Sequence, residues 1–191
     1  MNHPDETTHE GTAILIKHTI TYYEQLKYAT AAIQATSIRV KGLLYEITVA
    51  AVYCPPRHNL KKENFEAFFL ILGPKFLAGG DYNGKHVQWG PRLTTTKGHE
   101  LSKVIQENNY SYISTGSPAY WPMDTTKIPD LLDFFVTKEI STTYRDIQLS
   151  YDLTSDQTIS TTVMGRQPAP RLHVSQKNGR HVQTYYATKR I

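Results

Sequence analysis

Cysteine is almost missing from this sequence: its 191 residues hold one, Cys54. A lone thiol forms neither an internal disulfide framework nor a thiolate metal cluster, and it suits an intracellular, reducing compartment. Long apolar runs are missing too. The nearest, Phe65 to Leu72, contains Glu66 and falls short of the roughly 18 apolar residues that a membrane-spanning helix needs. The first residues are polar and acidic, unlike a secretory signal. Acidic side chains stop at Asp156. Beyond it lie six positive charges: Arg166, Arg171, Lys177, Arg180, Lys189 and Arg190. With a net charge of +4, residues 1–156 carry 4 − 6 = −2. The basic stretch reads either as a solvated linker or as an electrostatic handle for weak, sequence-independent contact with DNA.

What is present points to one globular domain. Apolar residues make up 39% of the chain and charged residues 20%, outside the composition of disordered segments. Thirteen tyrosines favour strands. The pattern predicts strands over 12–17, 37–40, 44–53, 111–114, 131–137, 147–151 and 158–164. Within 44–53, Ile47, Val49 and Ala51 alternate with Glu46, Thr48 and Ala50 before the run turns fully apolar. Phe65, Phe68, Phe69 and Leu72 have helical spacing, with Asn64 as the expected N-cap and Gly73-Pro74 as the stop. A second helix is expected over 97–108, with Leu101, Val104 and Ile105 inward and Asn108-Asn109 as a left-handed exit. Many strands with two interposed helices make an α/β domain over 1–164, followed by a basic tail over 165–191.

The densest chemistry lies in Gly79-Gly80-Asp81-Tyr82-Asn83-Gly84-Lys85-His86. The apolar Phe76-Leu77-Ala78 runs into two glycines and then an Asp-x-Asn pair, as when a buried strand ends abruptly. In extended backbone, residues i and i+2 share a face, so Asp81 and Asn83 are expected to reach one target. Such an oxygen-rich pair suits a hard cation or a phosphate, although the same residues are also common turn formers.

With Tyr53-Cys54-Pro55-Pro56 upstream, and Trp121-Pro122, Asp130-Leu131-Leu132-Asp133 and Ser155-Asp156 downstream, the chain resembles the endonuclease/exonuclease/phosphatase family. More narrowly it resembles the apurinic-type endonuclease domain of Jockey-like non-LTR retrotransposons. The resemblance implies a DNase I-like fold: a two-sheet β-sandwich flanked by helices, with the active site at one edge. It implies phosphodiester hydrolysis of DNA with Mg²⁺ and an activated water, in the nucleus, beside a reverse transcriptase of the same polyprotein. Carried over residue by residue, Asp81 holds the attacking water, Asn83 contacts phosphate, and Tyr53 turns its hydroxyl toward phosphate. Asp133 orients the catalytic histidine, and Asp156 takes part in metal binding. Lys85 is a possible phosphate contact. His86, Trp89 and Trp121 read as structural, and Asp130 as a cap at a strand entry.

Two departures from the family pattern set the functional expectation. The family's Ser-Asp-His motif reads Ser155-Asp156-Gln157 here, and glutamine cannot carry or release a proton near neutral pH. Met1 to Glu6 line up with a loop beyond the family's metal-ligating glutamate. The sequence is therefore expected to lack the first strands of the fold, and the reverse transcriptase as well. Three readings follow: a working endonuclease, a non-catalytic remnant that keeps the fold and some DNA affinity, and a domesticated interaction module.

Overall fold

The segment 44–53 turns fully apolar because its strand is covered on both faces. The computed structural model describes residues 11–16, 18–42, 45–116, 118, 126, 128–131, 133–140, 146–150, 159–164 and 182–186. The strands are β1 (Ile14–Leu15), β2 (Tyr22–Glu24), β3 (Tyr28–Ala29), β4 (Gln34–Lys41), β5 (Glu46–Tyr53), β6 (Phe76–Asp81), β7 (Ser111–Ile113), β8 (Asp133–Lys138), β9 (Asp146–Ser150), β10 (Ile159–Met164) and β11 (Val182–Tyr186). Helix α1 (Lys62–Ile71) lies between β5 and β6, and α2 (Thr96–Glu107) lies between β6 and β7.

A seven-stranded sheet runs β2-β4-β5-β6-β8-β7, with β3 also on β4, and a four-stranded sheet runs β1-β11-β10-β9. In the larger sheet β5 and β6 pair parallel, and α1 supplies the crossover that a parallel pair needs. Period-2 alternation sends Ala50, Val52, Phe76, Ala78, Phe134 and Val136 to one face. There they pack with Phe65, Phe68 and Phe69 of α1 and Leu101, Val104 and Ile105 of α2. Ile38, Val49, Ala51, Leu77 and Phe135 fill the other face, where Ile14 and Ile16 pack against them. Ile14 belongs to β1, so the smaller sheet reaches this face, and Thr12 Oγ1 meets Thr36 Oγ1 at 2.8 Å. The result is an α/β two-sheet sandwich with its helices on the outer face of the larger sheet.

Three expectations change at this level. Asn64 is not the N-cap of α1. That place falls to Lys61, and Asn64 sits in the first turn, where its Oδ1 accepts from the Lys61 amide at 3.0 Å. It satisfies an orphan donor from within the turn, as the third residue of a capping box does. The short strands β2 and β3 have no sequence signal, because three and two residues carry no readable period. Finally, the boundary at residue 164 does not hold in the sheet: β11 lies beyond it, paired with β10 (Thr162↔Thr184) and β1 (Ile14↔Tyr186). Val182, Thr184, Tyr185 and Tyr186 are strand-forming residues, outweighed in the sequence reading by the surrounding charge. The helix exits agree with expectation: Gly73 takes φ 85° after α1 and Asn109 takes φ 52° after α2.

Candidate active site

Strand β6 is buried along its whole length and ends in Asp81. Register places Asp81 beside Tyr53 on β5 and beside Asp133 on β8. The three residues thus form one row across three adjacent strands at the same end of the sheet. Exposures of 6% for Tyr53, 1% for Asp81 and 8% for Asp133 make the row a recessed polar floor. Two carboxylates side by side in so dry a place are costly, which marks the row as something other than packing. Tyr53 lies two residues beyond Ala51, and Asp133 two before Phe135. Both therefore belong to the face that the smaller sheet covers.

The close approach of β5 and β6 depends on Gly80. Its φ of 142° lies in the glycine region, and a β-carbon there would overlap the Val52 carbonyl oxygen. Without that clearance the last rung, with Cys54 N donating to Asp81 O at 2.8 Å, could not form.

Asn83 does not continue the strand, contrary to the extended i, i+2 geometry expected from sequence. At φ 45° it folds back. Its backbone N–H donates to Asp81 Oδ1 at 2.7 Å and its Nδ2 donates to Asp81 Oδ2 at 2.9 Å. The same Nδ2 donates to the Cys54 carbonyl at 3.1 Å. Asn83 thus fixes both oxygens of Asp81, Oδ1 through its backbone and Oδ2 through its carboxamide, and the carboxamide ties Oδ2 to the bend that follows Tyr53. Between them Tyr82 points to the helix side, fully buried, with its hydroxyl donating to Ala78 O at 2.9 Å.

The remaining residues of the motif serve the scaffold. Lys85 is ion-paired with Asp130, whose Oδ1 caps the following backbone by accepting from Leu131 N at 2.9 Å. His86 Nδ1 accepts from Gln88 N at 3.2 Å, and its ring lies 5.0 Å from the ring of buried Trp89. Burial and the neighbouring His99 lower the His86 pKa, which favours the neutral ring that can accept this bond. Trp89 Nε1 donates to Gly84 O at 3.2 Å, holding the loop from below. Asp156, Gln157, Trp121 and Pro122 lie outside the described residues.

Sequence reasoning passed over Lys97, in the first turn of α2. It is 5% exposed, and its ammonium donates to the Pro55 carbonyl at 2.7 Å. Burial lowers its pKa, while Cys54 and Asp81 oppose the shift. The Cys54 thiol beside it is pushed well above the ordinary range by burial. The only hint in the sequence is a lysine where a helix start disfavours positive charge.

Among the described residues no three His, Cys, Asp or Glu side chains come together to hold a metal ion. Both Asp81 oxygens already accept from Asn83. The described residues therefore do not by themselves make up a Mg²⁺ site.

The arrangement agrees with comparison to known proteins. Residues 47–159, more than half of the chain, match the family described as endonuclease-reverse transcriptase. The chain belongs to that family. It is 32% identical over 156 residues to the RNA-directed DNA polymerase from mobile element jockey of Drosophila funebris, and 33% identical over 155 residues to that of Drosophila melanogaster. These matches cover 82% and 81% of this chain and 17% of each relative. The chain thus spans about a sixth of the curated relatives it matches. Its fold is that of the endonuclease domain of TRAS1, a telomere-specific non-LTR retrotransposon, with a TM-score of 0.62 at 20% identity over 74% of this chain and 67% of that one. The family assignment and the DNase I-like fold implied by the sequence motifs therefore hold. No helix among the described residues is long and apolar enough to cross a membrane.

Proposed function

We propose that this domain is a Mg²⁺-dependent DNA endonuclease site that keeps its substrate-orienting parts and is slowed by glutamine at position 157. The observation that carries the reading is the row Tyr53–Asp81–Asp133, buried at one sheet end with Asn83 locked onto Asp81. Asp81, held at both oxygens, is oriented to position a water. The Tyr53 hydroxyl, next in the row, serves the phosphate. Asp156 is the residue the reading assigns to the metal. Gln157 can hydrogen-bond a water or a phosphate oxygen, but it takes up no proton. Removing a general acid or base is typically worth about 10²- to 10⁴-fold in rate. The domain would act in the nucleus, next to the reverse transcriptase activity for which its relatives are named.

The test is nicking of supercoiled plasmid in Mg²⁺. The unmodified chain is expected to nick slowly or not at all. Gln157→His should raise the rate by about 10²- to 10⁴-fold, and Asp81→Ala in that background should abolish it. Unmodified chain that nicks as fast as Gln157→His, in an Asp81-dependent way, would refute the impairment. Gln157 itself favours a second reading, a non-catalytic DNA-binding remnant. DNA binding without nicking in either form would establish that reading instead.

A further inference from the structure

The floor of the site carries two carboxylates side by side, Asp81 and Asp133, and a DNA backbone is a row of negative charges. A surface of that sign turns such a strand away unless a cation meets it close by. Two nearby lysines are already committed to the fold. Lys85 is ion-paired with Asp130, and the buried Lys97 donates to the Pro55 carbonyl at 2.7 Å. Arg57 stays exposed and makes no ion pair among the described residues. Its backbone is nevertheless fixed. His58 N donates to the Pro55 carbonyl at 3.4 Å, closing a β-turn with Pro56 and Arg57 at its centre. Proline suits the first central position of such a turn, and Pro55 and Pro56 each hold φ near about −65°. The base of the turn is pinned as well. Cys54 N donates to Asp81 O at 2.8 Å, the Asn83 carboxamide donates to Cys54 O at 3.1 Å, and Lys97 holds Pro55. Beyond the turn Leu60 is buried in the core, so Pro56 and Arg57 project from a base that is anchored on both sides.

We propose that Arg57 is a strand-anchoring residue: its guanidinium holds one backbone phosphate of the DNA strand whose neighbouring phosphate is presented to Tyr53. A guanidinium offers two parallel N–H donors that match two phosphate oxygens, which a lysine cannot do. Arg57 lies four residues beyond Tyr53, at most about 14 Å along the chain and less once the turn folds back. That span is about four nucleotide steps of one strand. The bonds that hold the turn also reach Asp81 and Asn83, so anchor and site share one rigid base. The inference rests on the DNA endonuclease reading for its substrate. It gives that site the contact that fixes where the strand lies.

The first readout is independent of activity: binding of a labelled duplex oligonucleotide of mixed sequence to the full chain, without added Mg²⁺, across a salt series. Arg57→Gln should weaken binding by about 10-fold or more, as loss of a charged hydrogen bond does, and flatten the salt slope by about 0.9. Arg57→Lys should keep the slope and lose less affinity, because it keeps the charge without the fork. Arg92→Gln is the control, since Arg92 is also exposed and its loss changes the net charge by the same amount. It should alter affinity less than about 2-fold, as a cation outside the contact does. All three should melt with the parent, because an exposed side chain without partners holds nothing together. The second readout is nicking in the Gln157→His background, where Arg57→Gln should raise KM and leave kcat nearly unchanged. Equal losses in Arg57→Gln and Arg92→Gln would overturn the proposal, reducing Arg57 to one unit of net charge. A parent chain that binds no DNA would overturn it as well. The expected binding losses with no nicking in any background would uphold the anchor and sink the endonuclease reading.

Discussion

Asn83 meets two demands that few side chains satisfy together. Its φ of 45° lies in the left-handed region, which Asn and Asp tolerate best after glycine. Its carboxamide also donates to Asp81 Oδ2 and Cys54 O. Asn83→Asp separates the demands, because it keeps backbone tolerance and volume while turning a donor into a carboxylate. Two acceptors then lose their donor, and a like charge faces Asp81 at the distance where Nδ2 now sits. The expected destabilisation is about 1–3 kcal/mol or more, read from urea unfolding at neutral pH. Asn83→Gly retains the backbone N–H to Asp81 and should lose less. An Asn83→Asp protein as stable as the parent would show that these bonds do not organise the site.

At the scale of elements, α2 acts as the clamp on the site. Thr95 Oγ1 accepts from Gly98 N at 3.1 Å, as an N-cap should, and also from Lys85 N at 3.1 Å. Thr95 N donates to Lys85 O at 2.9 Å. One residue therefore caps the helix and docks it on the loop that carries Asn83. Thr95→Ala should cost more than the ~1 kcal/mol typical of a lost cap, because Lys85 N loses its acceptor at the same time. Thr95→Ser should restore stability, as followed by thermal unfolding. A Thr95→Ala loss no larger than an ordinary cap would mean that the docking bond contributes nothing.

These elements also show what a sequence can disclose. The end of β6 was legible, because Gly79-Gly80 after an apolar run announces a strand stop, and Asp81 and Asn83 stand out there. The helical spacing of Phe65, Phe68, Phe69 and Leu72 was equally plain, and these residues lie in the core or cap α1. Register was not legible from pattern alone. Tyr53, Asp81 and Asp133 meet through pairings between strands distant in sequence, and only the family resemblance put them together. Lys85 reads from sequence as a possible phosphate contact, and only the fold shows Asp130 paired with it. Lys97 draws no reading at all, because the sequence pattern does not show that α2 buries its first turn.

At the scale of the whole molecule, the basic stretch is part of the architecture. Strand β11 lies between β1 and β10 in the smaller sheet, so deleting residues 165–191 removes an interior strand together with six positive charges. Lost DNA affinity in such a deletion could come from either cause. Charge alone is removed by glutamine at Arg166, Arg171, Lys177, Arg180, Lys189 and Arg190, all of which lie outside Val182–Tyr186. That change takes the net charge from +4 to 4 − 6 = −2. The parent should bind duplex DNA weakly and without sequence preference. Its log affinity should fall with log salt by about 0.9 for each phosphate neutralised. The six-glutamine variant should lose most of that affinity and flatten the slope, while melting within a few degrees of the parent. The deletion, by contrast, should melt clearly lower, because β1 loses its partner in the described sheet and β10 keeps only β9. If the six-glutamine variant binds with unchanged affinity and slope, the stretch serves the sheet alone, and any DNA contact must come from elsewhere in the domain.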